Sequence, residues 1–274
     1  MRSSLWTIVL VTCLAACTAT CRSGLNGRED WYQCEGLSDL NLQIPSGAAG
    51  INILNSNIIK IQADAFSKFS DSLIELNITG CGVEEIEPDA FRGLNKLQLL
   101  GLVNNKIRRI DATWIRGLLS LRALILWRNR IIDIDPEIYD LLPELQIWDI
   151  AYNDLGKCLS PDMLQKLKKL RRILIAGNPW SYRCRASMTW YLGSNHIRFI
   201  KDWSNSDLLI EECLAHEPGA DQDEAVLNKC VDRKVGLKAT LSDDVANLKE
   251  QVRELMKRVA NLETDVTKLK VPAV

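Results

Sequence analysis

The chain has 274 residues, with 34 lysines and arginines, 35 aspartates and glutamates, nine cysteines and two histidines. This near-neutral charge excludes the strongly basic surface that nucleic acid or an anionic membrane attracts, so neither is expected as a partner. Hydrophobic residues make up 47% of the chain. That fraction is enough for a core and excludes a largely disordered protein.

The first 20 residues have the composition of a secretory signal peptide. Arg2 supplies the positive charge, residues 5–16 form an apolar segment, and small residues at 17–19 resemble a cleavage site. The apolar segment is shorter than the roughly 20 residues that a membrane-spanning helix needs. The sequence therefore predicts a secreted, extracellular protein that loses residues 1–20 and has no membrane span.

One motif recurs through the middle of the chain, in the pattern L-x-x-L-x-L-x-x-N-x-L. About six copies follow one another over residues 48–178. Their strand centres are 24 or 25 residues apart, at Ile53, Ile78, Leu102, Leu126, Ile150 and Ile175. Each copy is too small to bury its own apolar face, so stacked copies must share a core. The sequence predicts a leucine-rich-repeat solenoid, with short parallel strands on the concave face and short helices or turns on the convex face.

The asparagine after each strand is expected to satisfy backbone groups that the turn leaves unpaired inside the solenoid. Ser56 and Cys81 replace it in the first two copies, so Cys81 is expected to be a buried free thiol. On the convex side, Phe66, Phe91 and Leu94 are expected to fill the core from behind.

Cysteine-containing caps are predicted at both ends of the solenoid, over residues 21–47 and 179–235, because a stack of repeats exposes apolar ends. They resemble the disulfide-bonded caps of extracellular leucine-rich-repeat proteins. Seven of the nine cysteines lie beyond the signal peptide. The expected N-terminal bridge joins Cys21 to Cys34.

The C-terminal cysteines leave several pairings open. Cys184 is expected to pair with Cys213 or with Cys158. If Cys81 stays reduced, these three and Cys230 can form two bridges in three pairings. Alternatively, Cys230 is left over and forms an interchain disulfide just before the helix that follows.

Residues 236–270 are predicted to form a coiled coil whose helix starts at residues 242–244. The dimer seam has valine at every a position and leucine at every d position: Val245, Leu248, Val252, Leu255, Val259, Leu262, Val266 and Leu269. This combination favours a parallel two-stranded coil. Facing e and g positions, such as Asp244 with Lys249, bring no like charges together, so self-pairing is permitted. The alternative is a helix that folds back on the solenoid.

Catalytic and metal-binding motifs are absent from the sequence. His196 and His216 are isolated, and no H-E-x-x-H, C-x-x-C or glycine-rich phosphate loop occurs. The sequence therefore predicts a binding protein without a cofactor rather than an enzyme.

A binding site is predicted where the outward-facing strand residues of the middle copies are apolar. The predicted concave binding face consists of Leu99, Val103, Ile125, Trp127, Arg128, Arg130, Ile147, Asp149 and Tyr152. Exposed apolar patches mark interaction sites, and Trp, Tyr and Arg are common binding anchors. The alternative is an apolar face without a ligand, as occurs in other solenoids. The sequence Asn77-Ile78-Thr79 predicts glycosylation of Asn77, which would cover the N-terminal part of this face.

The order of signal peptide, repeats, cysteine-containing caps and coil resembles the short-repeat, coiled-coil branch of the mosquito leucine-rich-repeat immune proteins. The resemblance implies a haemolymph protein that pairs through its C-terminal region, including an interchain disulfide. It also implies that the protein holds a complement-like thioester protein in solution for delivery to pathogens. This chain lacks the adjacent double cysteine of that family before the coil.

The function that follows is a secreted innate-immune recognition or adaptor protein. It would form a homodimer, or a heterodimer with a related repeat protein, and would bind a protein partner or a microbial surface. The alternative is a secreted adhesion protein or signalling ligand, or an antagonist of a cell-surface receptor.

Overall fold

The computed structural model describes residues 20–24, 27–201 and 206–269, so the predicted signal peptide lies outside the described residues except for Thr20. The chain divides into two compact units. The repeat unit holds the residues up to Trp180 together with the segment from Met188, and the C-terminal unit holds Ser181–Ser187 and the residues after position 202. Across the described residues, no helix has the length and apolar character that crossing a membrane requires.

The described elements are short strands, three helices of four residues between them, and three longer helices towards the C-terminus. The strands are β1 Thr20–Ser23, β2 Trp31–Glu35, β3 Gly50–Leu54, β4 Lys60–Ile61, β5 Glu75–Thr79, β6 Glu85–Ile86, β7 Leu99–Gly101, β8 Arg109–Ile110, β9 Ala123–Ile125, β10 Asp133–Ile134, β11 Ile147–Asp149, β12 Arg172–Leu174 and β13 Arg198–Ile200. The helices are α1 Ala112–Ile115, α2 Ile138–Leu141, α3 Pro161–Leu164, α4 Tyr182–Ser194, α5 Ser206–His216 and α6 Glu224–Leu269.

A nine-stranded sheet runs through the repeat unit in the order β1-β2-β3-β5-β7-β9-β11-β12-β13. From β2 onward, each strand pairs in parallel with its neighbours. Side chains alternate between the two faces of a strand, so the second and third apolar positions of the motif turn inward. Leu100, Leu102, Leu124 and Leu126 are fully buried, as the repeat pattern predicts.

The asparagines after the strands carry the hydrogen bonds that hold one repeat to the next, as the sequence predicts. The Asn129 Oδ1 atom accepts from the Ile107 backbone N–H at 3.1 Å, and its Nδ2 donates to the Leu102 carbonyl at 2.8 Å. Asn105, Asn153 and Asn178 repeat this arrangement. Each buried amide therefore satisfies backbone groups that have no strand partner.

The first two repeats use other side chains at the asparagine position. The Ser56 hydroxyl accepts from the Leu37 N–H at 3.0 Å and donates to the Leu54 carbonyl at 2.9 Å. Cys81 is a free thiol and 1% exposed, which confirms the prediction. Burial raises the pKa of this thiol, so it stays protonated and unreactive.

Aromatic side chains close the core behind the sheet. Phe66 and Phe91 stack with ring centroids 5.9 Å apart, and Trp114 meets Phe91 edge-on at the same distance. Leu94 is also fully buried, so the predicted convex residues fill the core. Such offset and edge-to-face pairs add packing specificity to the area that they bury.

The N-terminal end of the sheet is an antiparallel hairpin of β1 and β2. Cys21 and Cys34 are register partners in it and form a disulfide, which is the expected pairing. The hairpin adds β2 to the first repeat strand, β3. The disulfide thus fixes the hairpin that covers this edge of the repeats.

The C-terminal unit has a small core of its own between α5 and α6. Leu209, Ile210, Leu227 and Val231 are almost fully buried there. The Tyr182 hydroxyl donates to the Asp232 carboxylate at 2.6 Å. Since the carboxylate is held there and the ring is partly buried, desolvation and this hydrogen bond raise the pKa of Tyr182.

The structure corrects two cysteine predictions. Cys213 is bonded to Cys230, so the pairing of Cys184 with Cys213 is wrong. Cys230 is 1% exposed and bonded within its own chain, so its assignment to an interchain disulfide is also wrong. The sequence could not rank these pairings because the packing of α5 against α6 brings the two sulfurs together. Cys158 and Cys184 are each disulfide-bonded as well.

The helix that holds the predicted coil starts earlier than the sequence indicates. The sequence predicts a start at residues 242–244, whereas α6 begins at Glu224 and runs for 46 residues. The Asp223 carboxylate accepts from the Ala225 N–H at 2.8 Å, which is the hydrogen bond that a helix start requires. The first turns of α6 therefore belong to the small core, and the heptads continue the same helix.

Candidate binding face

The exposed side of the nine-stranded sheet, called the sheet face below, gathers the predicted binding residues. Leu99, Ile125 and Ile147 lie on it and are half-buried. Val103 and Trp127 follow two residues after Gly101 and Ile125, keep the same orientation, and are also half-buried. The register places Leu99, Ala123 and Ile147 on one line across three strands. An apolar patch therefore occupies the middle of the sheet face.

Three side chains beside this patch form what we call the aromatic cluster: Trp127, Arg128 and Tyr152. The Trp127 and Tyr152 rings meet edge-on with centroids 6.1 Å apart. The Arg128 guanidinium lies 4.6 Å from the centre of the Trp127 ring, which is a cation–π distance. The three side chains thus hold one another in fixed orientations before any ligand arrives.

Backbone geometry also fixes the aromatic cluster. Arg128 and Tyr152 both have φ of 55°, in the left-handed region that favours glycine. Gly80 and Gly177 occupy the equivalent position in other repeats, with φ of 65°. A bulky residue in this conformation costs on the order of 1 kcal/mol or more, and such cost concentrates at functional sites.

Tyr152 is held down by the next repeat. A Cβ atom at Gly177 would lie 2.6 Å from the Tyr152 ring, so only glycine lets the ring lie against the backbone there. One side of the ring is packed in this way, and 50% of the residue remains exposed. The aromatic cluster therefore presents an ordered, half-exposed ring.

The arginines of the predicted face lie at its edge. Arg128 and Arg130 are exposed, and neither forms an ion pair with a described residue. Both line an open depression together with Lys106 and Asn104. Lys106 is paired with Glu84 at 2.7 Å, and the positive charges of Lys106 and Arg130 both help to lower the pKa of this carboxyl.

Asp149 differs from its prediction as an exposed face residue. It is only 8% exposed and lies between Ile125 and Leu174 on the neighbouring strands. Its Oδ1 accepts from the Ala151 N–H at 3.0 Å. Burial raises the pKa of the carboxyl and outweighs this hydrogen bond, which acts in the opposite direction.

Asn77, the predicted glycosylation site, lies on the sheet face and is half-buried. Its Nδ2 donates to Glu75 at 2.8 Å, and a Cβ atom at Gly101 would lie 2.1 Å from its Oδ1. The side chain is therefore engaged with its own strand and the next one. Modification of Asn77 stays a prediction.

The predicted dimer seam lies in the C-terminal unit. Val245, Leu248 and Val252 are 44%, 58% and 54% exposed, which is unusual for three apolar side chains on one helix stripe. The remaining seam side chains, Leu255, Val259, Leu262, Val266 and Leu269, lie outside the described side chains. Pairing through the seam stays a prediction.

Sequence reasoning missed two arginines on the sheet face. Arg172 starts β12 and Arg198 starts β13, and both are exposed. The motif could have identified Arg172, which occupies the same motif position as Leu99 and Ile147. Arg198 could not be found in this way because β13 lies beyond the last predicted repeat.

Comparisons with known proteins agree with the observed fold. The chain matches the leucine rich repeat family at residues 51–107, 71–131 and 119–179. Mouse podocan is 25% identical over 144 residues, which cover 52% of this chain and 23% of podocan. Bovine opticin is 30% identical over 97 residues, which cover 35% of this chain and 29% of opticin. The chain thus spans less than a third of the length of these curated relatives.

One solved structure supports the same fold, and a second shows a weaker likeness. The structure of a TLR13–ssRNA13 complex matches 55% of this chain and 22% of that chain, with 24% identity and a TM-score of 0.50. The APL1 leucine-rich repeat domain matches 55% of this chain and 42% of that chain, with 20% identity and a TM-score of 0.48. Among the described residues, no group of three or more His, Cys, Asp or Glu side chains is placed so that it could hold a metal ion.

Proposed function

We propose that this leucine-rich-repeat protein is a secreted adaptor of innate immunity, which binds a protein partner through its sheet face and pairs with a second chain through α6. The aromatic cluster is the single observation that carries the binding proposal. The immune assignment rests on the order of domains along the chain and on its resemblance to the mosquito immune proteins. A complement-like thioester protein or a microbial surface is the corresponding partner.

The aromatic cluster has the properties of a binding anchor. Tryptophan, tyrosine and arginine are the residues that most often dominate binding energy. Trp127, Arg128 and Tyr152 restrain one another, so a partner would lose little side-chain freedom by binding them. The adjoining apolar patch, with Val103, Ile125 and Ile147 half-exposed, would add buried area.

Secretion is supported by the cysteines and by the predicted signal peptide. Cys21, Cys34, Cys213 and Cys230 form two disulfides, and Cys158 and Cys184 are also bonded. Such bonds persist in oxidising compartments and are rare where glutathione keeps thiols reduced. Haemolymph is the corresponding fluid if the source is an insect.

Pairing through α6 is supported by the uncovered seam. Burial of a valine or leucine side chain stabilises a protein by roughly 1.5–3 kcal/mol. A single chain does not gain this stabilisation at Val245, Leu248 and Val252, because all three are exposed. The a and d pattern favours two parallel helices. Because Cys230 is bonded to Cys213, the pair would be held at this point by packing and not by an interchain disulfide.

The test is purification of the tagged, disulfide-intact protein from its native extracellular fluid, with light scattering for mass and mass spectrometry for every associated chain. We expect an assembly of two repeat-protein chains plus a partner bound to the sheet face. The two chains should separate on non-reducing electrophoresis, because the described Cys230 has an intrachain partner.

Two variants separate the two interactions. Val252→Glu should abolish pairing, whereas Asn247→Glu, which adds the same charge at an exposed position away from the seam, should leave it intact. Trp127→Ala with Tyr152→Ala should release the face-bound partner and leave pairing unchanged. A wild-type monomer that carries no partner contradicts the proposal, and a cell-surface receptor as the partner favours the adhesion or signalling alternative.

A further inference from the structure

Two exposed arginines, called the arginine pair below, face each other on adjacent strands of the sheet. Arg172 of β12 and Arg198 of β13 are register partners in the parallel pairing. Neighbouring strands lie about 4.8 Å apart and register partners point to the same side, so the two guanidinium groups share one part of the sheet face. Like charges directly opposite each other destabilise a sheet. The folded chain therefore keeps an arrangement that costs stability.

No described carboxylate neutralises the arginine pair. Neither Arg172 nor Arg198 forms an ion pair within the described part of the chain. The register partner of Arg172 on its other side is Ile147, and the preceding residue is the exposed Arg171. Asp149, the acid nearest in register, is buried and already accepts a backbone hydrogen bond. The positive charge at this end of the sheet face is thus available to a ligand.

The arginine pair ends a line of side chains that crosses six strands. The register runs through Glu75, Leu99, Ala123, Ile147, Arg172 and Arg198. From Glu75 onward, this line runs from an acid through apolar residues to two bases, and before Glu75 the same register continues through Gly50 and Trp31. Five strand spacings make it roughly 24 Å long, which equals about seven residues of extended polypeptide.

We propose that the arginine pair binds the carboxylates of an acidic segment of the protein partner, while apolar residues of the same segment lie over Leu99 and Ile147. The guanidinium fork matches a carboxylate in two parallel hydrogen bonds, and such charge-assisted bonds are stronger than neutral ones. This inference rests on the proposed function of the sheet face and names the chemistry that the partner must carry.

The surroundings of the arginine pair favour a polypeptide over a polyanion. Ile147, Leu174 and Ile200 lie beside the two arginines, and Ile200 is 53% exposed. A sulfated polysaccharide or a nucleic acid carries charge on every unit and would leave these apolar side chains unmatched. A segment that alternates acidic and apolar residues would match both the arginine pair and the apolar side chains beside it.

The experiment selects binders from a random eight-residue peptide phage library on the full-length, disulfide-intact protein. We expect aspartate and glutamate to be enriched in the selected peptides, together with leucine, isoleucine or valine. A labelled selected peptide should bind the Arg172→Gln/Arg198→Gln variant tenfold to a hundredfold more weakly, on the order expected for two charge-assisted contacts.

The matched control is Lys157→Gln/Lys168→Gln, which removes two exposed positive charges outside the nine-stranded sheet and should bind the peptide as the wild type does. Absence of acidic enrichment, equal weakening in both double variants, or unchanged binding by the arginine variant would overturn the inference. Preferential binding of heparin or single-stranded RNA by the arginine pair would overturn it in favour of a polyanion.

Failure of the acidic-segment inference can be distinguished from failure of the proposed function by comparing two variants. If the Trp127→Ala/Tyr152→Ala variant loses its natural partner and the arginine variant keeps it at full affinity, the acidic-segment inference fails and the sheet face remains a binding surface. If both variants keep the partner, both proposals fail.

Discussion

The repeat unit and the C-terminal unit bury their apolar surface in different ways. In the repeat unit, each strand lies against the next one, and buried asparagines such as Asn129 satisfy the backbone between repeats. In the C-terminal unit, a small core and one disulfide hold only the first turns of α6, and Val245, Leu248 and Val252 stay exposed beyond it. The core of the repeat unit is therefore buried within one chain, whereas the described seam side chains of the C-terminal unit remain exposed to solvent.

The largest effect should follow from a cavity inside the repeat unit. Leu124→Ala removes a fully buried side chain from the shared core and should lower the free energy of unfolding by about 4 kcal/mol. Denaturant unfolding followed by tryptophan fluorescence measures it, with the exposed Arg122→Ala as the control, expected within about 0.5 kcal/mol. A loss below about 1 kcal/mol would mean that this core position is not closely packed.

Loss of the Cys213–Cys230 disulfide should destabilise the C-terminal unit and leave the repeat unit unchanged. Cys213→Ala with Cys230→Ala opens a loop of 17 residues and should cost about 3 kcal/mol in that unit. Hydrogen exchange should show the loss in α5 and the start of α6, with protection of β5 to β11 unchanged. Equal loss of protection in both units would show that they do not unfold independently.

The buried asparagines provide a smaller test of how one repeat depends on the next. Asn129→Ala leaves the Ile107 N–H and the Leu102 carbonyl without partners and should cost about 2 kcal/mol. Asn129→Ser should lose less, because the Ser56 hydroxyl accepts from a preceding backbone N–H in the first repeat, as Asn129 does in its own. Thermal or denaturant unfolding distinguishes them, and identical losses in the two variants would contradict the hydrogen-bond explanation.

The smallest effect is a gain in stability at Asp149. Burial raises its folded pKa above the ordinary value of 3.8, so the folded state binds the proton more tightly than the unfolded state does. Stability should therefore fall as the pH rises from 3.8 through the folded pKa. Asp149→Asn, which keeps an acceptor for the Ala151 N–H, should be more stable than wild type above this range and not below it.

The control for this prediction is Asp154→Asn, which neutralises an exposed carboxylate in the same repeat and should change stability by no more than about 0.5 kcal/mol. Unfolding midpoints measured from pH 3 to pH 8 decide the question. A loss of stability in Asp149→Asn at neutral pH would show that a partner of the carboxylate outweighs the effect of burial.

The repeat unit could be predicted almost residue by residue, because one periodic pattern sets burial, pairing and hydrogen bonding together. Leu100, Leu126 and Cys81 are buried as expected, and the asparagines bond where the pattern places them. The predicted sheet-face residues lie together, except that Asp149 is buried and the sequence overlooked Arg172 and Arg198. The sequence predicts the three members of the aromatic cluster as separate binding residues, and only the structure shows that they restrain one another.

The C-terminal unit could be predicted only in part, since its cysteines and helix boundaries follow no repeat. Cys213 meets Cys230 because α5 packs against the start of α6, and spacing along the chain does not show that. Likewise, α6 begins at Glu224 because Asp223 caps it and Leu227 has a core to enter. The sequence does not show that core, so it predicts the start of the helix at Ser242, Asp243 and Asp244 instead.

The sequence by itself determined the parallel stack, its buried faces and the apolar a and d positions of the last helix, because local periodicity decides which side of a strand or helix is apolar. Only the tertiary structure decided which cysteines meet, that Tyr152 lies on Gly177, and that Arg198 stands beside Arg172 on the sheet face. Those contacts join residues whose distance along the chain bears no relation to the repeat, so they depend on packing and not on pattern.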